Sequence, residues 1–168
     1  MKYSFYIVLV VLLFPFAAKA QDSTAILQEK FFGADSIHIV SHEERLQINN
    51  KTGEMTYKDF IVDGRPNYAI VKETVKLNKE LSEQLYKILT AGKDKEYDTP
   101  YCFNPHHAIL IYKDSVCSVI GFCFECMHWY VVGYHRFDVP VFHNEEVWSA
   151  LCDFFRRQGI QYEMPEKR

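Results

Sequence analysis

The chain has 168 residues, of which 48% are hydrophobic, 15% aromatic and 24% charged, and this indicates one ordinary globular domain. The abundance of aromatic residues excludes a disordered chain, and the 7 glycines and 6 prolines exclude collagen-like and low-complexity sequences. Because 19 basic residues face 22 acidic ones, we expect no nucleic acid among its partners.

The N-terminal segment, residues 1–20, is typical of a secretory signal peptide. Lys2 supplies a positive charge, residues 5–14 are apolar, and Ala18 and Ala20 are the small residues that a signal peptidase reads. The apolar run is shorter than the roughly 20 residues that span a bilayer, so we expect cleavage near Ala20 and no transmembrane segment afterwards. Two lysines leave with this segment, which changes the formal charge from −3 to −5. The mature chain is predicted to be secreted or periplasmic.

The first half of the mature chain predicts a short helix followed by strands. Ser23 can cap a helix over residues 24–32, which Gly33 ends. Alternating apolar residues, separated by clusters of turn-forming residues, then predict three strands that form an antiparallel meander, over residues 36–48, 54–62 and 68–77.

The second half predicts two longer helices with strands between them. Asn78 caps a helix over residues 79–91, and Asn144 opens the last helix, over residues 145–158. Strands that come in runs, rather than alternating with helices, favour an α+β fold with a mostly antiparallel sheet. We therefore expect a single α+β domain over residues 21–168, with helices packed on one face of five to six strands. The later strands are predicted over residues 107–113, 116–122 and 129–135.

Five cysteines follow the signal peptide, and an odd number leaves at least one outside any intramolecular disulfide. Cys152 lies on the apolar stripe of the last helix and is predicted to be a small buried hydrophobic residue. Cys117 lies too far along its strand to reach the remaining cysteines. The other three lie around one predicted hairpin, with three histidines beside them: Cys102, Cys123, Cys126, His106, His107 and His128.

The register of this hairpin decides which residues face each other. A three-residue loop at 113–115 places Cys102 opposite Cys126, whereas a two-residue loop at 114–115 places Phe103 there. Facing residues have Cα atoms about 4.5–5.5 Å apart, and a disulfide needs about 4.4–6.8 Å. The first register therefore predicts a disulfide from Cys102 to Cys126, or to the neighbouring Cys123, that braces the hairpin outside the cytosol.

Two other interpretations of the cluster stay open beside buried thiols with no special role. Cys123 and Cys126 form a C-x-x-C pair, but a redox pair needs a helix after its first sulfur, and the residues that follow are predicted to be extended. Zinc is the one possible cofactor: Cys102, Cys123 and Cys126 could hold it, with a fourth ligand from His106, His107 or His128. A second C-x-x-C, which would complete a common zinc motif, is missing from the sequence.

Part of this pattern resembles a known group of proteins. The motif C-F-x-P-x-H at 102–107, the motif C-F-E-C at 123–126 and the helix end at 154–162 are similar to small exported proteins of Bacteroidota-type bacteria. Gln21, directly after the expected cleavage site, is similar to exports of that group too. The group has no assigned activity, so the resemblance implies only that the three clustered cysteines act together.

Other chemically active residues are predicted to be ordinary. The pairs at 42–43 and 106–107 should point to opposite faces of a strand, as solvated polar positions. The sequence contains no motif of a serine hydrolase, zinc protease or nucleotide-binding loop. An aromatic stretch could form a binding surface or pack over the sheet end, through Trp129, Tyr130, Tyr134, Phe137 and Phe142.

These observations favour an exported, non-enzymatic binding or accessory protein whose hairpin is braced by cysteines. A protein is the partner that an aromatic surface would suit. The alternative is a zinc-binding or thiol-redox protein that uses Cys102, Cys123 and Cys126.

Overall fold

A computed structural model describes residues 23–91, 103–133 and 145–166 of the chain. The predicted signal peptide, Cys102 and residues 134–142 of the aromatic stretch lie outside the described residues. Within these ranges, no helix is long and apolar enough to cross a membrane.

The described chain forms an α+β fold, as the sequence predicts. In chain order the elements are α1 (Ser23–Phe32), β1 (Ser36–His42), β2 (Leu46–Ile48), β3 (Met55–Tyr57), β4 (Ile61–Val62), β5 (Arg65–Pro66), β6 (Val71–Lys76), α2 (Lys79–Thr90), β7 (His107–Lys113), β8 (Val116–Cys123), β9 (His128–Val132) and α3 (Glu145–Arg157). Five of the strands make one antiparallel sheet in the order β6-β1-β7-β8-β9, and two small hairpins stand beside it.

The predicted meander of the first three strands is wrong. β1 pairs directly with β6 on one side and with β7 on the other. The segment between β1 and β6 forms the two hairpins β2–β3 and β4–β5. Asp63 and Gly64 have φ angles of 51° and 73°, which suit a two-residue hairpin turn. This turn follows the predicted middle strand, but residues 54–62 are divided between β3 and β4, which pair in different hairpins, so that strand does not extend across the sheet.

The sheet is buried on both faces. Side chains that alternate along a strand point to opposite faces, and Ile39, Ile109 and Ile120 lie in the core shared with the three helices. On the other face, Val40 and Leu110 lie in a smaller core with residues of the hairpin segment. Because both faces are covered, β7 is apolar almost throughout and lacks the alternation of a half-exposed strand. The helices therefore pack on one face, as expected, and the hairpin segment covers part of the other.

Local sequence signals define the helix ends. The Asn78 side chain accepts a hydrogen bond from the Leu81 amide at 2.9 Å and so caps α2, as predicted. After α3, Gly159 has a φ of 95°, and the Ile160 amide donates to the Phe155 carbonyl at 3.2 Å. This left-handed cap returns Ile160 to the core and directs the C-terminal segment towards one end of the sheet.

Candidate functional site

The β7–β8 hairpin has the shorter of the two possible loops. Its pairing runs from His107 with Phe122 to Lys113 with Val116, so the loop contains only residues 114 and 115. The three-residue loop, and with it the expected alignment of Cys102 with Cys126, is therefore wrong. A primed turn requires positive φ at both positions, which Asp114 and Ser115 adopt at 48° and 65°.

A distant aspartate stabilises that turn. The Asp35 carboxylate accepts a hydrogen bond from the Asp114 amide at 2.8 Å and lies 3.3 Å from the Lys113 ammonium. The hydrogen bond from Asp114 and the charge of Lys113 lower the pKa of Asp35 below its ordinary value. Asp35 precedes β1, so the contact that supports this turn comes from another part of the chain.

The expected disulfide also requires β8 to extend as far as Cys126, and β8 ends before that residue. β8 ends at Cys123, residues 124–127 form a turn, and β9 starts at His128, which pairs with Cys123. Cys126 lies in this turn and not on an extension of β8. No disulfide joins any two of the four cysteines in the described ranges. Because Cys102 lies outside those ranges, a bond from it to Cys123 or Cys126 stays a prediction.

A polar cavity at the end of the sheet brings together three of the predicted site residues. Cys123, His106 and His107 line this cavity of about 180 Å³, which we call the end cavity. His128 and Cys126 are not among its lining residues. Within the described ranges, no three side chains of His, Cys, Asp or Glu are grouped so that they could hold a metal ion. Its other lining residues are Glu44, Asn104, Phe124, Glu125 and Glu163.

His106 is held by its neighbours at the mouth of this cavity. Its Nδ1 atom lies 3.2 Å from the His42 carbonyl oxygen, and its Nε2 atom lies 4.0 Å from the Glu44 carboxylate. The Asn104 side chain donates to the same carboxylate at 2.8 Å. Glu44 therefore connects two of the cavity's polar groups.

Two histidines are buried rather than solvated, which corrects the prediction for the pairs at 42–43 and 106–107. His42 is 0% and His107 is 1% exposed. Burial lowers the pKa of each to about 4, although hydrogen bonds to backbone carbonyls oppose this shift. The rings pack on aromatic side chains, with centroids 4.6 Å apart for His42 and Phe60 and 4.8 Å apart for His107 and Phe124. Both imidazoles are therefore neutral at ordinary pH.

A serine, a glutamate and a histidine lie on neighbouring strands without forming a catalytic triad. Ser41 pairs in register with both Glu73 and His107. The Ser41 hydroxyl donates to the Glu73 carboxylate at 2.6 Å, so its proton is directed away from the imidazole that would have to accept it. Burial alone would raise the pKa of Glu73, but the bonds from Ser41 and from the Tyr162 and Gln161 amides hold it below its ordinary value.

The C-x-x-C pair lacks the surroundings of a redox site. Cys123 is 5% exposed at the end of β8, and the turn after it leads into β9 and not into a helix. The positive end of a helix dipole, which lowers the pKa of the first thiol in such pairs, is therefore missing here.

A larger cavity, which the sequence pattern does not predict, lies beside α3. We call this space, of about 340 Å³, the α3 cavity. Its apolar wall contains Phe124 and Met127 from the β8–β9 turn and Trp148 and Cys152 from α3. The apolar stripe of α3 predicted burial, and Cys152 is indeed only 7% exposed, but periodicity does not show that a turn and a helix leave space between them. Five charged or polar residues and one proline are the other described lining residues of the cavity: Glu145, Ser149, Asp153, Arg156, Glu166 and Pro165.

The far face of the sheet holds an arginine between two tyrosines. The Arg45 guanidinium lies 4.7 Å from the centroid of the Tyr57 ring and 5.3 Å from that of the Tyr130 ring. Tyr130 lies flat across Gly121, where a Cβ atom would be 1.9 Å from the Tyr130 ring. Trp129 packs against the opposite core. The first two residues of the aromatic stretch therefore pack against the sheet and do not form one open surface.

No family model matches the chain, and no match was found among the curated proteins or the solved structures. What the chain does is therefore to be inferred from its own cavities and side chains.

Proposed function

We propose that the mature chain is an exported, non-enzymatic binding protein that holds a small amphipathic ligand in the α3 cavity. The volume of this cavity carries the proposal. Small-molecule sites usually have about 300–1,000 Å³ and combine an apolar wall with a few polar groups. The α3 cavity, at about 340 Å³, reaches this range, and the end cavity, at about 180 Å³, does not.

The residues that line the α3 cavity favour binding over catalysis. Cys152 is the one cysteine among its described lining residues, and burial raises the pKa of that thiol, which keeps it in the unreactive protonated form. No histidine, which is the most common general base, is among the described lining residues. The carboxylates on its rim are suited to orienting a ligand.

Export and the cysteine brace belong to the same proposal. The pattern of residues 1–20 supports export. The Phe103 ring lies 5.1 Å from the His128 ring and 5.8 Å from the Tyr130 ring, centroid to centroid, so the residue that follows Cys102 packs on β9. Since β9 follows Cys126 closely, this contact supports a disulfide between Cys102 and Cys126 even though the strand register does not.

Two alternatives have weaker support. A thiol-redox function would need an activated Cys123, and the strand after the turn does not activate it. A protein could bind the exposed apolar side chains of the β2–β3 hairpin, but a stable interface needs about 800 Å² and 20–30 residues on each partner. The hairpin offers far less, through Leu46, Ile48, Met55 and Tyr57.

A titration with an uncharged fluorophore tests the proposal. We expect N-phenyl-1-naphthylamine to bind the mature protein at one site with increased fluorescence, because its aromatic rings fit an apolar wall. Ser149 is exposed and lines the cavity, so Ser149→Trp should fill the space and abolish binding without disturbing the core. Ser149→Ala is the matched control and should bind like the wild type. Equal binding by the wild type and Ser149→Trp would place the site elsewhere and overturn the proposal.

A further inference from the structure

We infer that the α3 cavity selects organic cations, and specifically a primary amine that carries an apolar group. This inference rests on the proposed binding function and names the chemical class of its ligand. It follows from the charges around the cavity, from the aromatic rings in its wall and from the engagement of its arginine.

The rim of the cavity is negatively charged. Glu145, Asp153 and Glu166 contribute three carboxylates, and Arg156 contributes the one guanidinium among the described lining residues. Within the described ranges, neither Glu145 nor Glu166 takes part in an ion pair. A cation at the rim therefore finds carboxylates that have no competing charge partner in this part of the chain.

The arginine is already engaged by the protein. Arg156 Nη1 lies 3.4 Å from an Asp153 carboxylate oxygen one turn earlier in α3. Its other terminal nitrogen, Nη2, donates to the Pro165 carbonyl oxygen and so connects the helix to the C-terminal segment. An anion would share the guanidinium with the Asp153 carboxylate and would also be repelled by the carboxylates of Glu145 and Glu166.

The wall suits the apolar part of such a ligand. The rings of Phe124 and Trp148 both line the cavity, with centroids 6.2 Å apart and planes at 86° to each other. A cation near aromatic rings is attracted by their quadrupole, most strongly by that of tryptophan. Trp148 is 3% exposed, so its ring belongs to the buried wall of the cavity.

The end cavity does not compete for this ligand. It is acidic too, through Glu44, Glu125 and Glu163, but its volume of about 180 Å³ is below that of small-molecule sites. The Glu44 carboxylate also accepts a hydrogen bond from Asn104 and lies near His106. Of these two cavities, the α3 cavity is the one that offers an amine with an aromatic group both charge partners and sufficient space.

Two probes of matched shape and opposite charge test the inference. We expect 2-phenylethylamine to displace the bound naphthylamine fluorophore at least about tenfold more effectively than 3-phenylpropionate, because the first is a cation and the second an anion near pH 7. The affinity for the amine should fall as salt is added, since the rim carboxylates face solvent.

Charge-neutralising variants locate the selectivity. Glu145→Gln combined with Glu166→Gln should weaken amine binding about tenfold more than it weakens binding of the uncharged fluorophore. Glu54→Gln, in an exposed turn outside the cavity lining, is the control and should bind the amine like the wild type. Equal displacement by amine and acid, with the fluorophore still bound, would overturn the cation selectivity and leave the proposed function intact. Failure of the fluorophore itself to bind would overturn both.

Discussion

The Nε2 atom of His107 lies 3.0 Å from the carbonyl oxygen of Tyr162, so the first residue of β7, the central strand, is hydrogen-bonded to the segment that follows the last helix. Because a carbonyl oxygen only accepts, Nε2 carries the proton in the neutral ring. The ring is buried against Phe124 and Phe155. Protonation would leave a charge in apolar surroundings, which is why the pKa of His107 falls to about 4.

The protein should lose stability in mild acid because of this histidine and His42. Both have a folded-state pKa of about 4, below the ordinary value of 6.5. As the pH falls through 6.5, these two histidines bind protons in the unfolded chain but stay unprotonated in the folded chain. The free energy of unfolding therefore decreases until the pH reaches about 4. From about pH 8 to pH 5 we expect each histidine to remove about 2 kcal/mol from the free energy of unfolding.

Urea denaturation at several pH values measures this loss. The window above pH 5 lies above the ordinary pKa values of carboxylic acids, so paired carboxylates contribute little to the slope there. His107→Gln should be less stable at neutral pH but should show about half of the wild-type loss between pH 8 and pH 5. An unchanged free energy of unfolding across this range would contradict the assignment of buried, neutral imidazoles.

Glu73 should hold the C-terminal segment against the sheet. Its carboxylate accepts hydrogen bonds from the Tyr162 amide at 3.0 Å and the Gln161 amide at 3.1 Å, in addition to the Ser41 hydroxyl. Glu73→Ala should cost about 1–3 kcal/mol, because the buried Ser41 hydroxyl and the two backbone amides lose their acceptor. Amide hydrogen exchange should become faster over residues 160–164. At Ile39, in the centre of β1, exchange should change only as much as the lower global stability requires. If exchange accelerates equally at both places, Glu73 supports the whole fold rather than this segment.

Gly121 should be required because Tyr130 occupies the space of its missing side chain. A Cβ at this position would lie 1.9 Å from the Tyr130 ring, so Gly121→Ala must displace that ring and disturb its contact with Arg45. We expect Gly121→Ala to cost about 1–3 kcal/mol, as overpacking usually does. In a chain that already carries Tyr130→Ala, Gly121→Ala should lower the free energy of unfolding much less than it does in the wild type. A double-mutant cycle measures this coupling. Strictly additive losses would show that the ring does not cause the effect.

Local signals in the sequence were sufficient to predict the elements that depend on neighbouring residues. Asn78 caps α2 with its own side chain, and the stripe of Leu85 and Leu89 is buried as its spacing indicates. The hairpin loop was different, because neither Asp114 nor Ser115 is the glycine that normally marks positive φ. The contact with Asp35 that stabilises this turn comes from far along the chain, where a local pattern carries no information about it.

The candidate sites were predictable only in part for the same reason. The spacing of His106, His107 and Cys123 around one hairpin indicated that they lie close together, and they line one cavity. The burial of His42 and His107 depends on Phe60 and Phe124, which approach from other elements. The α3 cavity exists because the β8–β9 turn and α3 leave space between them. The periodicity of residues within one element does not predict the distance between two elements.

The cysteine brace makes a prediction that depends on neither cavity. If Cys102 and Cys126 are bonded, the mature protein with its 5 cysteines should show one disulfide and three thiols when it is denatured and alkylated without reductant. In the chain-entropy description, closing this loop is worth about 3 kcal/mol, so Cys102→Ser and Cys126→Ser should each cost that amount. The double variant should cost little more, because either change alone already opens the loop.

Cys117→Ala, in the opposite core, is the control and should leave the disulfide count unchanged. Additive losses would show that the two sulfurs are not partners, and a zinc-sized mass that disappears on denaturation would make the cluster a metal site instead.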